Sequence, residues 1–320
     1  ITLAVINQYR EVEGALWGPI QGWENPLSEV DFEPAHATGV TIEFEDESAK
    51  LPLASLQYDQ LLMLCDVLGF DMPDAVALAD GLLDWTDEDD DRRLNGFDGD
   101  DYDDMDPPYK PSNSPITTWD EFKLIEAFKD RFWDENGQPT SEWKRFKSAV
   151  SLHHKGAINL NQASGLVLDY LYEKQIIDPT RLEFFMNGSD GIAGTEDDRL
   201  WRKDNGFDNP LLIETSEVSD QLELLLVRVI AHRGEARFTL EALVSWSGSN
   251  PGVAGTSNAG RSAEEANRQI VNNNPQSAAQ QRERATGTAV SYTHLTLPTT
   301  DVGCGCRGAA GEVRRGGGGG

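Results

Sequence analysis

The stretch QLELLLVRVIAHRGEARFTLEALVSW, residues 221–246, decides the fold class of this chain. From Leu222 to Ile230 it is apolar save for Glu223 and Arg228, a run as long as one strand. His232-Arg233-Gly234-Glu235 supplies a turn. The return segment then alternates, with Ala236, Phe238, Leu240, Ala242 and Val244 on one side and Arg237, Thr239 and Glu241 on the other. That pattern is a hairpin with one solvated face. A further strand pattern lies far upstream, where Val40, Ile42 and Phe44 alternate with Thr41 and Glu43. Strands that flank a long helical stretch can pair across it. The predicted class is therefore α+β, a β scaffold carrying a large inserted all-helical domain.

Between these strands the apolar period is that of helices. Leu61, Leu64, Cys65 and Leu68 form one stripe that stops at Gly69. Asp71 and Pro73 open a second helix carrying Val76, Ala79 and Leu83. Thr118-x-x-Glu121 is a capping box before Phe122, Ile125, Phe128 and Phe132. Trp143 and Phe146 mark a short helix after Pro139, and Ala163, Leu166, Val167, Tyr170 and Leu171 mark a fifth after Asn161. The aromatics of this region read as core.

The second helix runs into LADGLLDWTDEDDDRRLNGFDGDDYDDMDPPY, residues 78–109. From Asp84 to Asp106 it holds twelve acids against two bases, Arg92 and Arg93. Carboxylates this crowded repel one another unless a hard cation or solvent separates them. A solvated charge run is the plain reading. The interleaved Trp85, Leu94, Gly96, Phe97, Gly99, Tyr102 and Tyr109 pack or turn instead, and favour an ordered cation-binding loop. Asp87 and Asp89 on one arm, with Asp98, Asp101 and Asp104 on the other, are the candidate calcium ligands. An EF-hand is ruled out, since the sixth position from Asp87 is Arg92 where that loop needs Gly. NGSDGIAGTEDD, residues 187–198, is a second acidic loop with Asp190, Glu196, Asp197 and Asp198 as possible ligands, or else an ordinary polar turn.

Asp84-Trp85-Thr86-Asp87-Glu88-Asp89, Gly96-Phe97-Asp98, Tyr102 and Asp106-Pro107-Pro108-Tyr109 together resemble the D-W-I-D-x-D…G-A-E…Y…D-P-P-Y signature of the type II secretion minor pseudopilin K family. Gly39–Lys50 is similar to that family's first strand and D-E-x-x-K, Gly156–Leu171 to its I-N-x-N-x-A helix start, and Gln221–Trp246 to its terminal strand pair. The resemblance spans roughly positions 39 to 246. The chain departs from it at Phe97-Asp98 for Ala-Glu, at Gln162 for Thr, and at Leu53-Ala54 where Asn is often found. The resemblance implies a pilin-like scaffold with a bulky helical domain at the pseudopilus tip, other minor pseudopilins as partners, and no catalytic activity. It also implies a missing leader and hydrophobic helix, hence an inner-membrane protein with a periplasmic domain. On this reading residues 1–55 hold a helix remnant and the first strand, 56–204 the helical domain, 205–247 the hairpin and 248–289 a flexible polar tail.

The 320 residues carry a net charge of −28, which argues against nucleic acid as a partner and against the helix-hairpin-helix reading that paired short helices invite. No run of about 18 apolar residues is present to span a membrane. Residues 290–320 fit no periodic template and resemble translated sequencing-adapter read-through, so they are set aside from the fold. With Cys304 and Cys306 set aside, Cys65 stands alone on an apolar face as a small core residue. His153-His154 lacks companions for a zinc set and reads as a packing or surface pair. No G-x-S-x-G, H-E-x-x-H or P-loop pattern occurs. The reading from another functional class is a secreted calcium-dependent hydrolase using the clustered acids. Its difficulty is that one polar loop gives carboxylates similar environments, whereas acid–base chemistry needs divergent ones.

Overall fold

In a computed structural model the described residues are 1–33, 39–89, 91–203 and 209–246, with the backbone of 289–296. The chain opens with α1 (Thr2–Glu13), β1 (Gly39–Asp46) and β2 (Leu51–Pro52). Helices α2 (Tyr58–Leu68), α3 (Met72–Thr86), α4 (Gly99–Asp103), α5 (Glu126–Phe132) and α6 (Ser141–Ala149) follow. Then come β3 (Val150–Ser151), β4 (Ile158–Asn159), α7 (Gly165–Glu173) and α8 (Pro179–Met186). The chain continues with β5 (Val218–Ser219), β6 (Leu224–Arg233), β7 (Ala236–Ser245) and β8 (Ala289–Thr296).

β1 pairs antiparallel with β6 from Gly39↔His232 to Asp46↔Leu225, although every helix from α2 to α8 lies between them in sequence. β6 and β7 form the expected hairpin, turning at Gly234, whose φ of 61° suits glycine. One face of this sheet is covered by α1: Val5 and Ile6 join Leu16, Trp23, Leu222, Leu225, Val227 and Val244 in a buried cluster, with Ile42 and Phe44 packed against it. Trp246 Nε1 donates to Asn7 Oδ1 at 2.7 Å and holds the helix there. No helix among the described residues is long and apolar enough to cross a membrane.

The helical region has its own core, from Leu51 through the α2, α3, α5, α6 and α7 faces to Val218. Local signals set its boundaries. Gly69 ends α2 in the left-handed region, Asp71 Oδ1 accepts from Asp74 N to start α3, and Thr140 and Ser164 cap α6 and α7. Cys65 is buried in this core with a free thiol, which burial pushes up to about 12.

Several expectations need correcting. The helix foreseen from Thr118 is two pieces, a 3-10 turn over Trp119–Lys123 and then α5. The three-residue repeat of a 3-10 turn brings Phe122 and Ile125 to the core together, and Glu121 Oε1 still accepts from Thr118 N at 3.0 Å. The helical region is not all-helical: β2 pairs parallel with β3, and β4 with β5. His153 and His154 follow β3, where Val150-Ser151 pairs with Leu51-Pro52. Setting aside 290–320 also fails for its first residues, since Ala289–Thr296 pairs antiparallel with β7. The reason is local: Val290, Tyr292, Thr293 and Thr296 favour extended backbone, and β7 offers an open row of donors and acceptors. The tail over 248–288, and 297–320 with Cys304 and Cys306, lie outside the described residues.

Candidate functional site

The acidic loop hangs from the last turns of α3, where Asp80 and Asp84, one turn apart, are both buried. Asp80 Oδ2 accepts from Asn95 N at 3.1 Å and from Asn95 Nδ2 at 2.9 Å. Asp84 accepts from Arg93 N at 3.0 Å and pairs with the Arg93 guanidinium, which also reaches Asp87 at 2.6 Å. Burial pushes the Asp84 carboxyl upward, and the bonds from Arg93 oppose that shift. The backbone at Gly96 passes directly over this carboxylate.

The far arm is stitched by α4. Asp98 Oδ1 accepts from Asp100 N and Asp101 N, while Asp101 Oδ2 accepts from Asp98 N at 3.1 Å. Arg92 donates to both Asp101 oxygens at 3.0 Å. The Asp98 amide first, and then Arg92, hold the Asp101 carboxyl below its usual range. Behind the acids stand the aromatics: Tyr102 meets Trp85, Phe97 and Tyr109 at centroid distances of 5.3, 5.9 and 5.1 Å. Tyr109 Oη donates to Leu124 O at 2.8 Å, and the Asp106-Pro107 peptide is cis. The D-W…Y…D-P-P-Y residues are thus the apolar spine of the loop.

Of the predicted ligands, Asp87, Asp89 and Asp98 line one small cleft, together with Asp84, Asp91 and Arg92. Asp101 faces Arg92, Asp89 Oδ1 accepts from Asp91 N at 3.0 Å, and Asp104 follows α4 with its side chain exposed. In the second loop Asp197 Oδ2 accepts from Ser189 N and Oγ, both at 2.6 Å, and Oδ1 from Thr195 Oγ1 at 2.8 Å. These bonds, the Ser189 hydroxyl first, hold its carboxyl far below the usual range. Asp190 Oδ1 accepts from Ile192 N at 2.8 Å and Asp198 Oδ2 from Gly194 N at 2.7 Å. Asp198 Oδ1 is buried with no hydrogen-bond partner. Among the described residues no group of three or more His, Cys, Asp or Glu side chains stands in a metal-holding arrangement. Arginines and amides satisfy most of the first loop's acids, so that loop fits a cation poorly as it stands. The orphaned Asp198 oxygen fits one better.

Sequence reasoning passed over Asp80 and the two arginines as working residues. Their signal was present, two carboxylates four apart on an otherwise apolar helix face with the only local bases just beyond. It likewise quoted D-E-x-x-K and I-N-x-N without a role. In the structure they form one buried polar clasp. Lys50 Nζ pairs with Glu45 and Glu47, and Glu47 Oε2 accepts from the Ser151 hydroxyl. Asn159 Nδ2 donates to Asp46 Oδ2 at 2.8 Å and Trp17 O at 3.0 Å, while Asn161 Nδ2 reaches Trp201 O and Asp220 O. His154 Nε2 lies 3.0 Å from Ala157 O, and burial lowers the pKa of its ring. The clasp ties the end of β1 to the helical region.

Comparison with known proteins adds a similarity over part of the chain. No curated protein matches the chain. A chain in the crystal structure of the GspK-GspI-GspJ complex from the enterotoxigenic Escherichia coli type 2 secretion system is similar at 15% identity and a TM-score of 0.48, over 68% of this chain and 78% of that one. Residues 42–135 match the family described as type II secretion system (T2SS), protein K. That segment holds most of β1, the helices α2 to α5 and both arms of the acidic loop, and over it the chain is similar to the type II secretion system protein K family.

Proposed function

We propose that this pseudopilin of type II secretion sits at the tip of the pseudopilus, on the periplasmic side of the inner membrane, in company with other minor pseudopilins. One observation carries the reading: β1 closes onto β6 while the whole helical body is looped out between them. Units 1–55 and 205–247 then make the pilin-like scaffold, with 56–204 as its inserted domain. A subunit built this way offers its α1 side for packing below and presents a bulky body above, so a further subunit cannot stack on it. Growth of the filament ends there, and no catalysis is required.

Two measurements test it. Co-expression with the minor pseudopilins of the same genome is expected to yield one stable complex, and folded partners that fail to associate would defeat the assignment. In sheared filaments, the ratio of this chain to the main subunit is expected to fall as filaments lengthen, whereas a shaft subunit would keep a constant ratio.

Calcium belongs to the same proposal, and Asp198 Oδ1 is the observation that supports it, with Asp190 and Asp197 both within reach of Thr195 Oγ1. A cation that binds only the folded state stabilises it by about 2.7 kcal/mol at a hundredfold excess over Kd. Millimolar calcium is expected to raise Tm more than magnesium does, and Asp198→Asn to weaken that response. Equal effects of both metals, as screening alone gives, would remove calcium from the account.

A further inference from the structure

The sheet runs β1-β6-β7-β8, so β8 covers β7 at one end and β1 is the edge at the other. The hairpin fixes which backbone groups of β1 face outward. Arg233 and Ala236 flank a two-residue turn, and residues in that position exchange both of their N–H···O bonds. The roles then alternate along β6, so that His232, Ile230, Arg228 and Leu226 turn their backbone groups towards β1. Their partners Gly39, Thr41, Glu43 and Glu45 answer them, which leaves the N–H and C=O of Val40, Ile42 and Phe44 pointing away from the sheet. Among the described residues no backbone group outside the sheet bonds these three.

Proteins blunt an exposed edge with proline, a bulge, a covering segment or an inward-pointing charge. β1 has no proline and pairs without a register shift over its full length. On the face that α1 covers, Val40, Ile42 and Phe44 are only half-buried, so an apolar row runs out to the open edge. On the other face Glu43 and Glu241 share Arg228, and Glu45 and Glu47 share Lys50, four carboxylates to two cations. We infer that β1 takes an added strand from a neighbouring protein subunit, with branched apolar residues beside Val40, Ile42 and Phe44 and lysine or arginine beside Glu43 and Glu45. This rests on the proposed assembly with other minor pseudopilins and names the surface and chemistry of one contact. A second copy fits worse. Antiparallel self-pairing centred on Ile42 sets Thr41 against Glu43 and Gly39 against Glu45, supplies no base, and joins two chains of net charge −28.

The test is amide hydrogen exchange on the ¹⁵N-labelled 320-residue chain. In the free chain the Thr41, Glu43 and Glu45 amides are expected to exchange slowly, and those of Val40, Ile42 and Phe44 at least tenfold faster. In the complex with the co-expressed minor pseudopilins the fast set is expected to slow at least tenfold. The second probe needs no such complex: a capped heptapeptide alternating lysine with valine is expected to protect the same three amides saturably. Its affinity is expected to fall about tenfold when its backbone nitrogens are methylated, and about tenfold when glutamate replaces its lysines. Subunits that fail to associate would defeat the assembly reading, and the peptide then decides this one. Slow exchange of Val40, Ile42 and Phe44 in the free chain, whether monomer or dimer, would overturn the inference. So would a complex that leaves them fast, or peptide binding indifferent to methylation.

Discussion

At Gly96 a methyl group built on the backbone would stand 1.7 Å from Asp84 Oδ2 and 3.3 Å from Asp80 O, so the acidic loop lies against α3 only because this residue has no side chain. Gly96→Ala is expected to destabilise the protein by about 1–3 kcal/mol, as overpacking does, read as a lower urea midpoint at unchanged slope. Asp46 gives a pH signature. Burial raises its carboxyl from 3.8 to about 6, against the bonds from Ser48 and Asn159 that favour the ionised form. The folded state therefore binds this proton more tightly than the unfolded chain does. The resulting stability is complete below 3.8, declines as pH rises towards about 6, and is gone above that. The difference in Tm between the wild type and Asp46→Asn is expected to vary only within that window, and a flat difference would show that Asp46 titrates normally. At this scale the sequence showed that acids were concentrated here, but burial sorts them. Asp80 and Asp84 serve the fold and Asp101 faces an arginine, distinctions that depend on neighbours far along the chain.

At the scale of elements, the helices were legible where the apolar spacing was regular and a cap stood at each end. α2 and α3 run almost as their punctuation directs, and the Phe122, Phe128, Phe132, Trp143 and Phe146 rings stack and edge into one another at 5.2 to 5.9 Å. Phe128→Ala at the centre of this cluster is expected to cost about 3–5 kcal/mol, measured by denaturant unfolding, and a loss under 1 kcal/mol would mean the cavity collapses freely. What escaped notice was short or irregular. α8 is signalled only by Asp178 before Pro179, and the paired dipeptides β2–β3 and β4–β5 carry too few residues for any period to appear. Asn161 looked like a helix start, yet its side chain is committed to Trp201 and Asp220, and the cap falls to Ser164.

For the molecule as a whole, β8 provides the clearest test of how far the sheet extends. Removing 289–320 is expected to expose the outward amides of β7 to hydrogen exchange while the helical region melts unchanged, since its core cluster contains no residue beyond Val218. A fall of several degrees in the helical melt would show that the last segment supports more than one edge. The sequence by itself determined the period of each long element, the hairpin, the acidic character of the loop and the family signature, because those are properties of neighbours within a few residues. Only the tertiary structure decided that β1 closes onto β6 and that the I-N-x-N and D-E-x-x-K residues form one buried clasp. Each of these joins groups distant along the chain, and a buried polar atom's partners are fixed by which surfaces close over it, not by the residues beside it in sequence.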